Sequence, residues 1–245
     1  MDDPVLLCEH IDEITSIVMN RPEQRNAISL AGWRALTQAI ADASADPACR
    51  VIVIRGASGN FGAGADIAEF DACFASSEST KAYFSQIEQT MASIESTPKP
   101  IIAAIEGLCI GACVALALAC DIRIASQNSQ FAITPAKLGL AYPYGDLGRV
   151  TRAIGPGYTR SLLFTGCRIG SDVALAIGLI EHVYKDEEFS TRLLAIARDV
   201  AASSRFTIKA TKEAVRALAM GLSDELAGYP DVLIKAVSSE DFAEG

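Results

Sequence analysis

Apolar positions follow two different spacings along the first part of the chain. Behind Ser29, a residue type that often caps helices, apolar side chains recur at helical spacing at Leu30, Trp33, Leu36 and Ile40. Short β-favouring runs precede this helix between Cys8 and Asn20. The run 51–54 is continuously apolar and β-branched, which is typical of a strand buried on both faces of a parallel sheet.

A strand, a glycine-rich turn and a helix then occur twice in succession. The run 51–54 is followed by the glycine-rich segment 56–66 and by a predicted helix from about Lys81. The strand-like run 101–105 is followed by a turn and by a predicted helix over 111–120. Shorter strands are predicted at 122–125 and 131–133. Such repetition favours an α/β fold built of repeated units.

The last third of the chain has a mainly helical pattern. A helix is predicted from Ser171 to Gly178, a short strand over 181–184, and amphipathic helices over 189–202 and 207–220. No linker rich in Gly, Ser or Pro separates these segments. We therefore predict a core over 1–187, which carries the functional site, and a helical region over 188–245.

Composition and charge narrow the classes of function. The chain has 245 residues, a net charge of −9 and 50% hydrophobic residues, which argues against disorder, nucleic-acid binding and membrane-surface binding. The acidic start lacks a targeting pattern, and Glu106 and two glycines interrupt the most apolar window, 100–119. Seven Cys and two His without a Cys-x-x-Cys pair argue against a disulfide framework or a zinc site. We expect a cytoplasmic protein without a membrane span.

Five motifs in order and in register carry a resemblance to a known family. They are Arg21-Pro22-Glu23-Gln24-Arg25-Asn26-Ala27, Phe61-Gly62-Ala63-Gly64-Ala65-Asp66-Ile67, the segment 107–121, Leu138-Gly139-Leu140 and the segment 165–180. Together they resemble the enoyl-CoA hydratase/isomerase, or crotonase, family. The resemblance implies an α/β fold of the crotonase type, a spiral of β-β-α units with C-terminal helices. It also implies a homotrimer or a dimer of trimers assembled through the region 188–245, which is expected to be shorter than in other members.

The same resemblance implies an acyl-CoA substrate, with coenzyme A as part of the substrate and no separate cofactor. Two backbone N–H groups would hold the thioester oxygen in an oxyanion hole, and the family positions map onto Ala63 and Ala112. Losing one such donor typically slows catalysis by about 10²- to 10³-fold. The predicted substrate-binding positions are Gln24, Arg25, Ala27, Ala65, Asp66, Ile67, Ile110, Gly111, Ala115, Thr134, Pro135 and Leu138.

Both glutamates that hydratases of this family use are missing. Their positions carry Ala115 and Pro135, and neither side chain can transfer a proton. Ordinary hydration by this pair is therefore not expected. Three hypotheses remain: an acyl-CoA enzyme with altered chemistry, such as decarboxylation or isomerisation; a hydratase that uses another acid, with Asp146 as first candidate; or a non-catalytic acyl-CoA-binding subunit.

Tyr142 is a further candidate catalytic residue. The pattern of Thr134-Pro135, Leu138-Gly139 and Tyr142 resembles the methylmalonyl-CoA decarboxylase branch, although that branch has a histidine at the position of Ala65. A tyrosine hydroxyl could orient a carboxylate or lie near the protonated carbon; the alternative is a buried aromatic residue. Tyr144 and Asp146 are predicted in the same loop. His10, His182, Cys109, Cys113, Asp66 and Asp121 are expected to be structural or surface residues.

Overall fold

The computed structural model describes residues 4–219, 221–223, 228–238 and 242. Its strands are β1 (Leu6–Ile11), β2 (Ile14–Met19), β3 (Val51–Gly56), β4 (Ile101–Ile105), β5 (Leu108–Ile110), β6 (Ile122–Ser126), β7 (Gln130–Ala132), β8 (Ile169–Gly170) and β9 (His182–Tyr184). Its helices are α1 (Leu30–Ala45), α2 (Phe70–Cys73), α3 (Ser77–Ser96), α4 (Ala112–Ala119), α5 (Tyr144–Thr165), α6 (Ser171–Ala176), α7 (Asp186–Ala202), α8 (Arg205–Ala219) and α9 (Tyr229–Val237).

The larger sheet lies at the centre of the fold. Its strand order is β1-β2-β3-β4-β6-β9, and only the β1–β2 pair is antiparallel. The four residues 51–54 and all five residues of β4 are buried, because α1 and α3 pack on one face of the sheet and α7 on the other. Burial of β3 on both faces, predicted from its continuous apolar run, is confirmed.

A smaller sheet of β5, β7 and β8 stands beside the first one. Bridge pairs join Gly62 to Cys109 and Ile28 to Ala65, so successive turns of the chain lie next to one another. This stacking is the predicted spiral, and it brings the glycine-rich turn after β3 against the turn after β5.

The helix α5 is the main element that the sequence pattern missed. Its sequence holds several glycines and Pro156, and Gly155 has φ 70° and ψ 165°, which kinks the helix. Glycine and proline lower helix propensity, and buried polar residues break the apolar periodicity. Tyr144 and Asp146 therefore lie in the first turn of a helix, and the prediction that they belong to a loop is wrong.

The C-terminal helices differ in how much of their apolar surface the chain itself covers. On α7, Phe189 and Ala197 are each 1% exposed because they pack against the larger sheet. The apolar face of α7 is therefore covered within the chain itself, and the amphipathic pattern of this helix does not by itself require a partner. On α8 and α9, by contrast, Val215, Leu218 and Ile234 are each at least 60% exposed. The predicted boundary at 187/188 falls in the first turn of α7, and the predicted helix end at Met220 lies outside the described residues.

Candidate active site

Two glycine-rich turns meet at the start of α4. They are the segment 62–66 after β3 and the segment that ends at Gly111. A Cβ atom at Gly64 would lie 2.9 Å from the carbonyl oxygen of Ile110 and 3.6 Å from the amide nitrogen of Ala112. Glycine at position 64 therefore lets the two backbones approach closely, which brings amide groups of both turns together.

The amides at this junction are not equally available. The N–H of Ala63 donates to the carbonyl oxygen of Arg25 at 2.9 Å. The N–H groups of Ala65 and of Ala112, the first residue of α4, have no hydrogen-bond acceptor among the described residues. An amide has a single hydrogen, so the prediction of Ala63 as an oxyanion donor is wrong. The two unpaired amides next to Gly64 belong to Ala65 and Ala112.

The peptide that joins Gly111 to Ala112 is held from several sides. Gly111 has φ 57° and ψ −118°, a conformation that side chains disfavour. Its N–H donates to the carbonyl oxygen of Ala132 at 2.8 Å, and its own carbonyl accepts from the N–H of Val114 at 3.1 Å. The same carbonyl accepts from the hydroxyl of Tyr142 at 3.1 Å. The hydroxyl hydrogen of Tyr142, predicted to serve the substrate, is therefore directed at the backbone.

An apolar pocket lies in front of the two unpaired amides. Aromatic rings of α2 and α3 form one side of it. The rings of Phe74 and Phe84 are stacked with centroids 5.8 Å apart, and Tyr83 meets both edge-on at 5.6 Å. This wall suits the hydrocarbon part of a ligand. The predicted site residues that line the pocket are Ala63, Ala65, Ile67, Gly111, Ala112, Thr134, Pro135, Leu138 and Tyr142.

Other predicted contacts lie outside this pocket: Gln24, Arg25, Ala27, Asp66 and Ile110. Gln24 and Arg25 are exposed in the loop before α1. The carboxylate of Asp66 accepts from Arg21 Nη1 at 2.7 Å and from the N–H of Ala68 at 3.1 Å. These contacts fit the structural role expected of Asp66.

The two positions of the missing acids are placed differently. Ala115 lies on α4, is 0% exposed and belongs to the main hydrophobic core. It does not line the pocket, so its prediction as a substrate-binding residue is wrong. Pro135 does line the pocket, at the start of the 3₁₀ turn Pro135–Leu138.

One carboxyl group lines the pocket from the opposite side. Asp146 in the first turn of α5 is 2% exposed. Its Oδ1 accepts from Arg149 Nη1 at 2.9 Å, and its Oδ2 accepts no hydrogen bond among the described residues. Burial raises the pKa of Asp146 to about 6, although Arg149 acts in the opposite direction. The carboxyl group can therefore take up or release a proton near neutral pH.

Arg149 is shared among three carboxylates. Besides its bond to Asp146, its Nε donates to Glu95 at 2.7 Å and its Nη2 to Glu88 at 3.3 Å. Both glutamates lie on α3, and their charges add to the burial that raises the pKa of Asp146. Glycine at position 145 leaves space for this cluster, because a Cβ there would lie 2.9 Å from Glu88 Oε2. The sequence pattern did not reveal this cluster; the i, i+3 spacing of Asp146 and Arg149 was its one signal.

Four other side chains that could be reactive do not line the pocket. His10 and His182 are exposed on β1 and β9. Cys109 and Cys113 are fully buried, and burial raises the pKa of both thiols, that of Cys113 to about 12. They are neutral apolar groups at physiological pH. Within the described part of the chain, no group of three or more His, Cys, Asp or Glu residues is placed to hold a metal ion, and no helix is long and apolar enough to cross a bilayer.

Comparison with known proteins places this geometry in a family. The family model described as enoyl-CoA hydratase/isomerase matches residues 9–245. The crystal structure of an enoyl-CoA hydratase/isomerase family protein from Hyphomonas neptunium matches with a TM-score of 0.95 and 38% identity, over 99% of this chain and 93% of that one.

Among the similar proteins are an isomerase and a hydratase. The mitochondrial Delta(3,5)-Delta(2,4)-dienoyl-CoA isomerase of Mus musculus is 33% identical over 210 residues, which cover 81% of this chain but only 64% of that protein. The crotonyl-CoA hydratase of Syntrophomonas wolfei is 30% identical over 210 residues, which cover 85% of this chain and 80% of that one. The chain belongs to the enoyl-CoA hydratase/isomerase, or crotonase, family.

Proposed function

We propose that this protein is an isomerase that moves a carbon–carbon double bond within an unsaturated acyl-CoA. The reaction runs through a dienolate whose oxygen is held by the N–H groups of Ala65 and Ala112. The observation that carries the proposal is the single buried carboxyl group of Asp146, which lines the same pocket as the two unpaired amides. The relatives named as dienoyl-CoA isomerases support this choice.

A single carboxyl group is sufficient for this reaction. In a 3-enoyl thioester, ionised Asp146 takes a proton from the α-carbon, and the electron pair moves into the carbonyl group. The two amides stabilise the charge that develops on the oxygen. Asp146 then gives the same proton to the γ-carbon, and the double bond forms between the α- and β-carbons. No atom is gained or lost, so the second acid of a hydratase is not required.

The proton affinity of Asp146 suits this shuttle. An acid–base group works best when its pKa lies near the working pH, and burial raises the pKa of Asp146 from 3.8 to about 6. An exposed aspartate, with its lower pKa, would be a weaker base for the α-proton. The pairing of one Asp146 oxygen with Arg149 fixes the carboxyl group and leaves Oδ2 for the substrate.

Decarboxylation of a malonyl-type substrate has weaker electrostatic support. Its carboxylate would enter a pocket that already holds Asp146, and the three guanidinium nitrogens of Arg149 already donate to three carboxylates. A further anion would meet repulsion without a free cation in this cluster. Hydration has weaker support as well, because Ala115 and Pro135 leave only one acid to hold and activate water.

The coenzyme A part of the substrate would extend from the pocket toward the loop before α1. Gln24, Arg25 and Ala27 are the proposed adenine and pantetheine contacts. The guanidinium of Arg25 is exposed and suits a phosphate group. Replacing Arg25 by Ala should weaken acyl-CoA binding more than it lowers kcat, since these contacts are remote from the reacting carbons.

A trimer or a dimer of trimers is the proposed assembly. Several apolar side chains of α8 and α9 are exposed in the single chain, including Val215, Leu218 and Ile234. Contact with neighbouring subunits would bury them. Light scattering at micromolar concentration should give a mass of three or six chains. A stable monomer would contradict this proposal.

An isomerisation assay tests the proposed reaction. Purified protein is mixed with 3-hexenoyl-CoA, and formation of the conjugated 2-enoyl product is followed by absorbance. Crotonyl-CoA and methylmalonyl-CoA, assayed in parallel, report hydration and decarboxylation. Exchange of the α-proton in deuterated water is a second readout, since it detects the dienolate even when the double bond does not move. Turnover of crotonyl-CoA or methylmalonyl-CoA alone would overturn the isomerase proposal, and binding without exchange would favour a non-catalytic subunit.

A further inference from the structure

Tyr142 lies on the pocket wall, but its hydroxyl hydrogen is committed to the backbone. The O–H donates to the carbonyl oxygen of Gly111 at 3.1 Å. That carbonyl and the N–H of Ala112 belong to the same peptide group, so a bond at one end acts directly on the other. The inference that follows rests on the proposed function, in which the N–H of Ala112 donates a hydrogen bond to the thioester oxygen.

This peptide has little side-chain support of its own. A Cβ atom at Gly111 would meet no atom within 4 Å, so nothing packs against that side. The backbone holds this peptide through the N–H of Val114, which donates to the Gly111 carbonyl, and the N–H of Gly111, in the preceding peptide, donates to the carbonyl oxygen of Ala132. Tyr142 supplies the only side-chain hydrogen bond to this carbonyl among the described residues.

A donor at the carbonyl oxygen has two effects on an amide. It fixes the plane of the peptide, and it draws electron density toward the oxygen, which makes the N–H a stronger donor. Hydrogen bonds in such chains strengthen one another by roughly 10–30% each. We infer that Tyr142 is a positioning residue of the oxyanion hole, which orients and polarises the Gly111–Ala112 peptide rather than donating a proton to substrate.

The hydroxyl is able to play this role at every relevant pH. Burial raises the pKa of Tyr142 well above its ordinary value, and the nearby Asp146 acts in the same direction. Tyr142 therefore stays protonated and keeps its hydrogen for the carbonyl. Its other charged neighbour, Arg149, acts in the opposite direction but is occupied by its three carboxylates.

A spectroscopic measurement separates this role from packing. An acyl-CoA with a ¹³C-labelled thioester carbonyl is bound to wild type and to Tyr142→Phe, and the carbonyl stretching frequency is recorded. Binding to wild type should lower this frequency, and the variant should lose part of that shift. We expect kcat to fall about tenfold, less than for complete loss of an oxyanion donor, with KM nearly unchanged. Tyr144→Phe is the matched control, because Tyr144 is two residues away and 91% exposed.

A second variant covers the case in which Tyr142→Phe does not fold. Replacing Tyr142 by 3-fluorotyrosine makes the phenol a stronger donor with almost no change of shape, so the carbonyl shift and kcat should both increase. If the carbonyl frequency of the bound acyl-CoA is the same in the variant and in wild type, the inference is overturned. If, in addition, Tyr142→Phe loses about 10²-fold or more in kcat, as expected for an acid–base group, the hydroxyl donates directly to substrate. If wild type shows the carbonyl shift but no isomerisation, the proposed function fails while the role of Tyr142 is still tested by the shift.

Discussion

The two walls of the pocket differ in the groups that line them. The wall at the start of α4 consists of backbone and small apolar residues, and its polar groups are the amides of Ala65 and Ala112. The facing wall at the start of α5 carries a buried charge cluster around Arg149. In a hydratase of this family the acids would stand on α4 and on the turn after β7, where Ala115 and Pro135 are found. In the proposed mechanism, therefore, the thioester oxygen binds at the start of α4, and proton transfer depends on Asp146 of α5 instead of on these two positions.

The difference also predicts that the two walls respond differently to substitution. The backbone donors depend on φ and ψ angles that glycine permits at positions 64 and 111, so a side chain there disturbs geometry. The α5 wall depends on the balance between burial and charge at Asp146, so a change in one partner alters proton affinity without moving the backbone.

The largest expected effect is on the charged wall. Asp146→Asn keeps the size of the side chain and removes the base, so kcat for 3-hexenoyl-CoA should fall by about 10²-fold or more. The dissociation constant of a saturated acyl-CoA should change little. Equal activity of the variant and wild type would mean that the acid–base group lies elsewhere and that the α5 wall does not carry proton transfer.

A stability measurement shows whether Asp146→Asn remains folded. The pKa of Asp146 is raised from 3.8 to about 6 in the native protein, so the native state binds the proton more tightly than the unfolded chain does. The free energy of unfolding of wild type should therefore fall as pH rises from about 4 to about 6, and Asp146→Asn should lack this contribution. Urea titrations of wild type and of Asp146→Asn at pH 4.5 and pH 7 give the free energies of unfolding to be compared.

The second prediction concerns the backbone wall. Gly111→Ala places a side chain at φ 57° and ψ −118°, so the peptide must rotate and the N–H of Ala112 loses its direction. We expect kcat to fall by about 10²-fold, as for loss of one oxyanion donor.

Gly139→Ala is the matched control for this variant. Gly139 also has a positive φ and open space at its Cβ, but it has ordinary left-handed angles and does not line the pocket. The control should lose about 1–2 kcal/mol of stability and keep most of its activity. Similar kinetics for the two variants would mean that the orientation of the Ala112 amide is unimportant.

The sequence predicted the backbone wall better than the charged wall. The resemblance of the motifs around Gly64 and Gly111 to the family implied an oxyanion hole in this region, and the structure brings the two motifs into close contact. They did not distinguish Ala63 from Ala65, since only the hydrogen bond to Arg25 reveals which amide is occupied. Asp146 was one of several polar residues in an assumed loop. The two α3 glutamates that share Arg149 with it lie more than 50 positions from Arg149 in the chain, and no local pattern encodes their meeting.

The pH dependence of wild-type activity and its change in Glu95→Gln are expected to be smaller effects at the charged wall. If Asp146 must be ionised to accept the α-proton, kcat/KM of wild type should rise with pH through about 6 and then level off. Glu95 raises the pKa of Asp146 through its charge, and it also occupies Arg149 Nε at 2.7 Å. Glu95→Gln removes that charge and leaves Arg149 to pair more strongly with Asp146. Both changes lower the pKa of Asp146, so the rising limb of the profile should shift to lower pH.

Glu78→Gln is the control for this experiment, because Glu78 is exposed in the first turn of the same helix and makes none of the contacts to Arg149. Its pH profile should match wild type. In Glu95→Gln the plateau rate should be slightly lower, since a carboxylate of lower pKa is a weaker base. A ¹³C NMR titration of the Asp146 carboxyl group gives its pKa independently of turnover. Suppose that in Glu95→Gln the pKa of Asp146 measured by NMR falls but the rising limb of the kcat/KM profile stays at the same pH. The limb then belongs to another group, and Asp146 is not the base. If neither the pKa nor the limb changes, burial alone sets the proton affinity of Asp146, and the α3 glutamates only hold Arg149 in position.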